Sequence, residues 1–199
     1  MEIETIKKLA KEALEDSINH GYEDHRKPVS RICTKAICEV AEAVSAYRDN
    51  RMARIRGFIR SNQINDKQPD HPSYDDNFVT NYRTRVKDTV QDEMTDVVIY
   101  MLVLIASFDE KQYKIDSDTD IVRFPQSNDF VYSAGNLITI INFIPASPDP
   151  IASAIRVIVF IESWMHIVTG DDLECMLRYK MRFNKLRPYR HGRKDDPTI

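Results

Sequence analysis

Asp92 to Ala106 reads DEMTDVVIYMLVLIA, and the fold turns on how that stretch is read. The run from Val97 to Ala106 has no polar side, and a helix that is apolar all round belongs in the middle of a core. It is too short to span a bilayer, which takes about 20 residues. Glu93 and Asp96 stand at its mouth. Three residues apart on a helix, they share a face, with about 5–6 Å between their Cβ atoms. Carboxylates in such a place cost on the order of several kcal/mol each to desolvate unless a cation meets them.

A matching pair lies upstream. Glu39 and Glu42 belong to ICTKAICEVAEAVSAY, which has helical spacing. On a wheel with Glu39 at the origin, Ile32, Cys33, Ala36, Ile37, Val40, Ala43, Val44 and Tyr47 fill one continuous apolar arc. Lys35, Glu39 and Glu42 fall together just outside its edge. Carboxylates three apart are common on solvated helices, but two such pairs, each flanked by core-grade residues, point to a shared metal ion. Oxygen ligands without Cys or His suit a hard cation, Mg²⁺ or else Mn²⁺, and not zinc. The expected ligands are Glu39, Glu42, Glu93 and Asp96.

Outward from those helices, low glycine content and long Pro-free stretches favour helix throughout. A first helix is expected from Ile3 to Asn19, a second from Pro28–Ser30 to Tyr47, and a long one from Phe78 to Phe108 capped by Asp76 or Asn77. Ser61 to Asn77, with Pro69 and Pro72, reads as an exposed loop. Arg48, Arg51, Arg54, Arg56 and Arg60 alternate with apolar residues as a solvated helix face does. Asp109 to Asp129 reads as an irregular insertion. Phe130–Ile144 and Ile151–Val168 are apolar helices divided by PASPDP, whose prolines forbid continuation. Gly170 ends the second of them, and Asp171 or Asp172 caps a last helix to Leu186.

The 199-residue chain fits a single all-α domain over 1–199, a helical bundle with a four-helix metal-binding core, additional helices, and insertions at about 48–77 and 109–129. The surplus helices cover that core or form a dimer interface. A formal charge of -3 and a pI near 6.0 lack the strongly basic balance of a non-specific nucleic-acid binder. Cys33, Cys38 and Cys175 have no CxxC spacing, as expected of reduced thiols in a cytoplasmic protein. The charged, amphipathic start MEIETIKKLAKEALE reads as neither an export signal nor a transit peptide, and no membrane partner is expected.

Lys180 and Asn184 share a face of the last helix, followed by Arg187, Arg190, His191 and Arg193. A cation, an amide and guanidinium groups suit a polyphosphate whose charge a metal has partly neutralised. The plainer reading is positive charge complementing a helix C-terminus. Glu162 and His166, four apart, look like a ligand pair but read better as a helix-face contact.

KAICEVAEAV, EMTDVVIYML and KMRFNKLRPYRHG together resemble the MazG-like all-α nucleoside triphosphate pyrophosphohydrolases. That family has an ExxE helix, an ExxD helix and a later helix with Lys and Asn four apart. The resemblance implies that Glu39, Glu42, Glu93 and Asp96 hold Mg²⁺. It implies that Lys35, Lys180 and Asn184 contact the phosphates, and that water attacks the α-phosphorus of a (deoxy)nucleoside triphosphate; Arg187, just after that helix, is a further candidate for substrate binding. Glu42 is the candidate base, Lys180 the catalytic cation, and a homo-oligomer, dimer or tetramer, the expected assembly. The matches cover well under half of the chain, and the link between Glu42 and Glu93 is longer than the family's. Tyr22, His25, Trp164 and the segment from Arg48 to Asn77 are candidates for touching a base. The competing readings are a non-catalytic helical interaction module and a nucleotide-binding regulator without turnover.

Overall fold

The computed structural model describes residues 1–20, 28–65, 73–108 and 129–187. Among the described residues the chain is all helical. α1 spans Ile3–Asn19, α2 Val29–Arg48, α3 Ile55–Asn65, α4 Tyr74–Arg85, α5 Val90–Ala106, α6 Phe130–Phe143, α7 Pro150–Trp164 and α8 Leu173–Lys185. α1 and α2 fall where periodicity puts them. The expected insertion at 109–129, the tail arginines Arg190 and Arg193, His191, Tyr22 and His25 lie outside the described residues, apart from Asp129 itself.

α5 is the axis of the molecule, packed by α1, α2, α7 and α8, with α6 packed on α2 and α7. Its burial follows from its composition. Val97, Val98, Met101, Leu102, Val103, Leu104 and Ile105 are all buried, and only the side carrying Asp96, Ile99 and Tyr100 is half-buried and open to a cleft. α2 meets α5 through Ile32, Cys33, Ala36, Val40 and Ala43, and its small residues let the two helices come close. The expected arc omits Ala46, which is buried, and includes Tyr47, which is exposed and whose ring lies 5.0 Å from that of Phe130.

Two expectations require correction. The helix anticipated from Phe78 to Phe108 is two helices, α4 and α5, separated at Val86–Thr89. Asp88 takes a left-handed φ of 59°, which a right-handed helix cannot contain. Thr89 then caps α5: its hydroxyl accepts from the Asp92 amide at 3.4 Å and donates to the Val86 carbonyl. T-x-x-D ahead of an apolar run is a helix-start signature, and here it wins over the continuous periodicity. The other correction concerns the loop at Ser61–Asn77. Helix α3 extends through Asn65 and α4 opens at Tyr74, because Phe58 and Asn62 on one side and Phe78 and Tyr82 on the other give each segment a face to bury.

Those faces make a second, aromatic cluster of Ile55, Phe58, Phe78, Tyr82, Val86, Met176 and Phe183. Tyr82 stacks on Phe183 with centroids 4.4 Å apart, and Phe58 stands edge-on to Tyr82 at 5.7 Å. The cluster fastens α3 and α4 to α8.

The remaining helix ends follow their capping residues. Asp129 accepts from the amides of Val131 and Tyr132, Asp149 from Ala152 and Asp172 from Cys175. Gly170, at a φ of 70°, closes a π-helical turn over Met165–Thr169. Pro150–Thr169 is long and apolar enough, by length and composition, to cross a membrane, and half of it is buried within the fold.

Candidate functional site

Three helices and the α4–α5 corner bring their polar residues to one cleft of about 290 Å³. α2 supplies Glu39 and Glu42, the α4–α5 corner Lys87 and Asp88, α5 Asp92, Glu93, Asp96 and Tyr100, and α8 Lys180, Asn184 and Arg187. Oxygens of Glu39, Glu42 and Glu93 lie within 4.8 Å of one another, and so do those of Asp88, Asp92 and Glu93. Three of the expected ligands thus stand together. Asp96 lines the same cleft, but its Oδ2 sits 2.5 Å from Lys180 Nζ.

Lys180 is the pivot of the cleft. Its Nζ also donates to Asp92 Oδ1 at 2.7 Å, and the side chain is buried. Burial alone would push its proton off, yet the charges of Asp96 and Asp92 outweigh burial and hold the ammonium well above its ordinary pKa. Asp92 itself accepts from the Tyr82 hydroxyl at 2.6 Å and from the Asp88 amide at 3.0 Å. Burial, then the Asp92 charge, keeps that phenol protonated.

The other acids of the cleft behave differently. Burial, reinforced by the charges of Asp96 and Glu42, raises Glu39 to about 7. Burial with Asp92 and Asp96 raises Glu93 to about 8. Burial also raises Asp96, against the pull of Lys180. Six carboxylates line the cleft (Glu39, Glu42, Asp88, Asp92, Glu93 and Asp96) against three cationic side chains, Lys87, Lys180 and Arg187. Of these, Lys87 is already paired with Asp88 at 2.5 Å. Once its acids are ionised, a cleft so lined repels a polyphosphate and attracts a cation, which would displace the protons of Glu39 and Glu93. All-oxygen donors at this spacing are what a hard divalent ion such as Mg²⁺ takes, so the residues present fit the ion expected from sequence. Acidic residues in the first turn of α5 also gain from the helix dipole, which offsets part of their cost.

No family model, curated protein or solved structure matches the chain. What the cleft can do is set by its side chains. Asn184 and Arg187 join Lys180 along it, with the Arg187 guanidinium carbon 5.5 Å from the centre of the Phe183 ring. Lys35, one turn before Glu39, is not among the residues that line the cleft, and its Nζ lies 5.7 Å from the centre of the Tyr100 ring. Trp164 is a core residue against Phe130, at 4.8 Å between centroids, and does not line the cleft. Glu162 accepts from the Met1 amine at 2.5 Å, while His166 is exposed on the π turn.

Asp92, Tyr82 and Asp88 were not singled out by sequence. One signal was available: Asp92 and Asp96 are four apart and therefore on one face, which is the face that meets Lys180.

Proposed function

We propose that the chain is a MazG-like all-α pyrophosphohydrolase that cleaves a (deoxy)nucleoside triphosphate to the monophosphate and pyrophosphate, with Mg²⁺, or else Mn²⁺, as cofactor. Its role is the clearing of unwanted nucleotides in the cytoplasm. The observation that carries this is the triad Glu39, Glu42 and Glu93, with oxygens within 4.8 Å of one another, in one cleft with the buried cation Lys180 and with Asn184 and Arg187. An acidic site that also presents an ammonium, an amide and a guanidinium suits a metal-bound polyphosphate, because neither half alone would accept one.

In this reading Glu39, Glu42 and Glu93 hold the ion within a four-helix core, and Asp96 completes the set. The bound ion supplies charge neutralisation of the phosphates and a lowered pKa for water. Lys180, Asn184 and Arg187 bind the β and γ groups, offsetting the charge that builds up as pyrophosphate departs. Glu42, the exposed member of the triad, takes the proton of the attacking water. The new bond forms at the α-phosphorus and the bond to the β-bridging oxygen breaks.

The test is pyrophosphate release from a panel of dNTPs with Mg²⁺. Glu93→Gln should abolish turnover, by at least about 100-fold, while circular dichroism shows unchanged helix content. Undiminished release by that variant removes the assigned role of the triad, and a wild-type chain inert on every dNTP removes the reading.

A second reading, an interaction module, is favoured by the large apolar side chains of Tyr132, Phe143 and Ile167, which stand exposed on α6 and the π turn. Calorimetry with Mg²⁺ and a non-hydrolysable dNTP separates the two: a pure module binds neither, and a nucleotide-binding regulator binds without turnover.

A further inference from the structure

Lys180 is 4 % exposed, and an ammonium that deep is stable only with anions around it. Its two carboxylate partners are not equivalent. Asp96 keeps 23 % of its side-chain surface and shares the cleft with Glu39 and Glu93. Asp92 is 2 % exposed and held from three directions: the Tyr82 hydroxyl at 2.6 Å, the Asp88 amide at 3.0 Å and Lys180 at 2.7 Å. Tyr82 is fully buried, and its ring is fixed by stacking on Phe183, three residues along α8 from Lys180.

We propose that Asp92 and Tyr82 are positioning residues for Lys180. Asp92 is the permanent seat of the ammonium and Tyr82 fixes that seat. Asp96 is the exchangeable partner, so the ammonium stays aimed into the cleft when Asp96 turns to a cation. The proposal rests on the reading that Lys180 meets phosphate groups, and it makes the aromatic cluster of α3 and α4 a support for the phosphate-binding end of the cleft.

The experiment is calorimetric titration of inorganic tripolyphosphate, with Mg²⁺, into the full chain and its variants. Asp92→Asn should weaken binding about tenfold or more, as expected on losing a hydrogen bond to a charged group. Tyr82→Phe, which keeps the ring, should weaken it severalfold. In a Lys180→Met background Asp92→Asn should cause no further loss, because Asp92 acts through Lys180. Phe58→Leu loosens the same aromatic cluster without touching Asp92. It should lower the melting temperature yet leave tripolyphosphate affinity unchanged, which a merely structural role for Tyr82 does not predict.

Wild-type affinity in both Asp92→Asn and Tyr82→Phe overturns the proposal, as do losses that remain fully additive with Lys180→Met. If Asp92→Asn fails to fold, Tyr82→Phe and Phe58→Leu decide. A wild-type chain that binds tripolyphosphate but releases no pyrophosphate from dNTPs defeats the hydrolytic reading and leaves this one standing. A wild-type chain that binds no tripolyphosphate overturns the positioning role whatever its turnover.

Discussion

Glu39 and Glu93 keep their protons to about pH 7 and about pH 8, against an ordinary 4.5. The folded chain therefore binds more protons than the unfolded chain between these values, and stability falls as pH rises through them. With a chelator present, the melting temperature should decline from pH 5 to pH 8 by this account. Mg²⁺ should reverse the decline at the alkaline end, since the ion replaces the protons. At a hundredfold excess over its dissociation constant the ion adds about 2.7 kcal/mol. A melting curve flat in pH, or unmoved by Mg²⁺, contradicts the assignment. Asn62 poses a different problem at the same scale. Both polar atoms of its buried side-chain amide lack a partner. An apolar side chain of similar size removes that desolvation cost, so Asn62→Leu should stabilise the chain by about 1 kcal/mol, read in a denaturant titration. Single residues were only partly legible from sequence. Glu39, Glu42 and Glu93 announce themselves because each sits beside core residues at helical spacing. Asp92 and Tyr82 do not, because nothing local says that they touch.

The contact between them is a property of the α4–α5 corner. Tyr82 and Asp92 are ten residues apart in sequence and 2.6 Å apart in space, whereas ten residues of unbroken helix separate two side chains by about 15 Å along the axis. The left-handed Asp88 and the Thr89 cap fold the chain back and close that gap. Thr89→Ala removes the cap and should cost about 1 kcal/mol, seen as a lower thermal midpoint. An unchanged midpoint would show that Val90 can start α5 unaided. Periodicity predicts one helix across the corner because both flanks have a 3.6-residue repeat. The turn chemistry of Asp88-Thr89 competes with it and decides the outcome. α1, α2, α6, α7 and α8 were legible, the last two because Asp149, Gly170 and Asp172 punctuate them at positions where the apolar pattern also stops. The short α3 was not: an arginine-rich segment reads as solvent-facing until the partner of Phe58 is known.

Tyr47, Met52, Val131, Tyr132, Ile167 and Val168 are large apolar side chains left exposed. Tyr47 packs beside Phe130, which Val131 and Tyr132 follow, and Met52 shares a cleft with Thr169, which Ile167 and Val168 precede. If the proposed homo-oligomer forms through these side chains, light scattering should find a dimer or larger species in the wild type. A Tyr132→Asp, Ile167→Asp variant should be monomeric with unaltered helicity. A variant of unchanged mass places the contact elsewhere. The bundle as a whole was readable from one stretch, since an all-apolar α5 has to be surrounded. The way α3 and α4 attach was not, since it rests on aromatic rings far apart in sequence.

The enclosure of α5 has a kinetic side as well. Its amides sit behind α1, α2, α7 and α8 at once, so solvent deuterium reaches them only when most of the molecule opens, whereas α3, which packs mainly on α4, can exchange through a local excursion. Slow exchange along Val97–Ile105 would then report the free energy of the entire fold, and the acid groups at its head would inherit that rigidity.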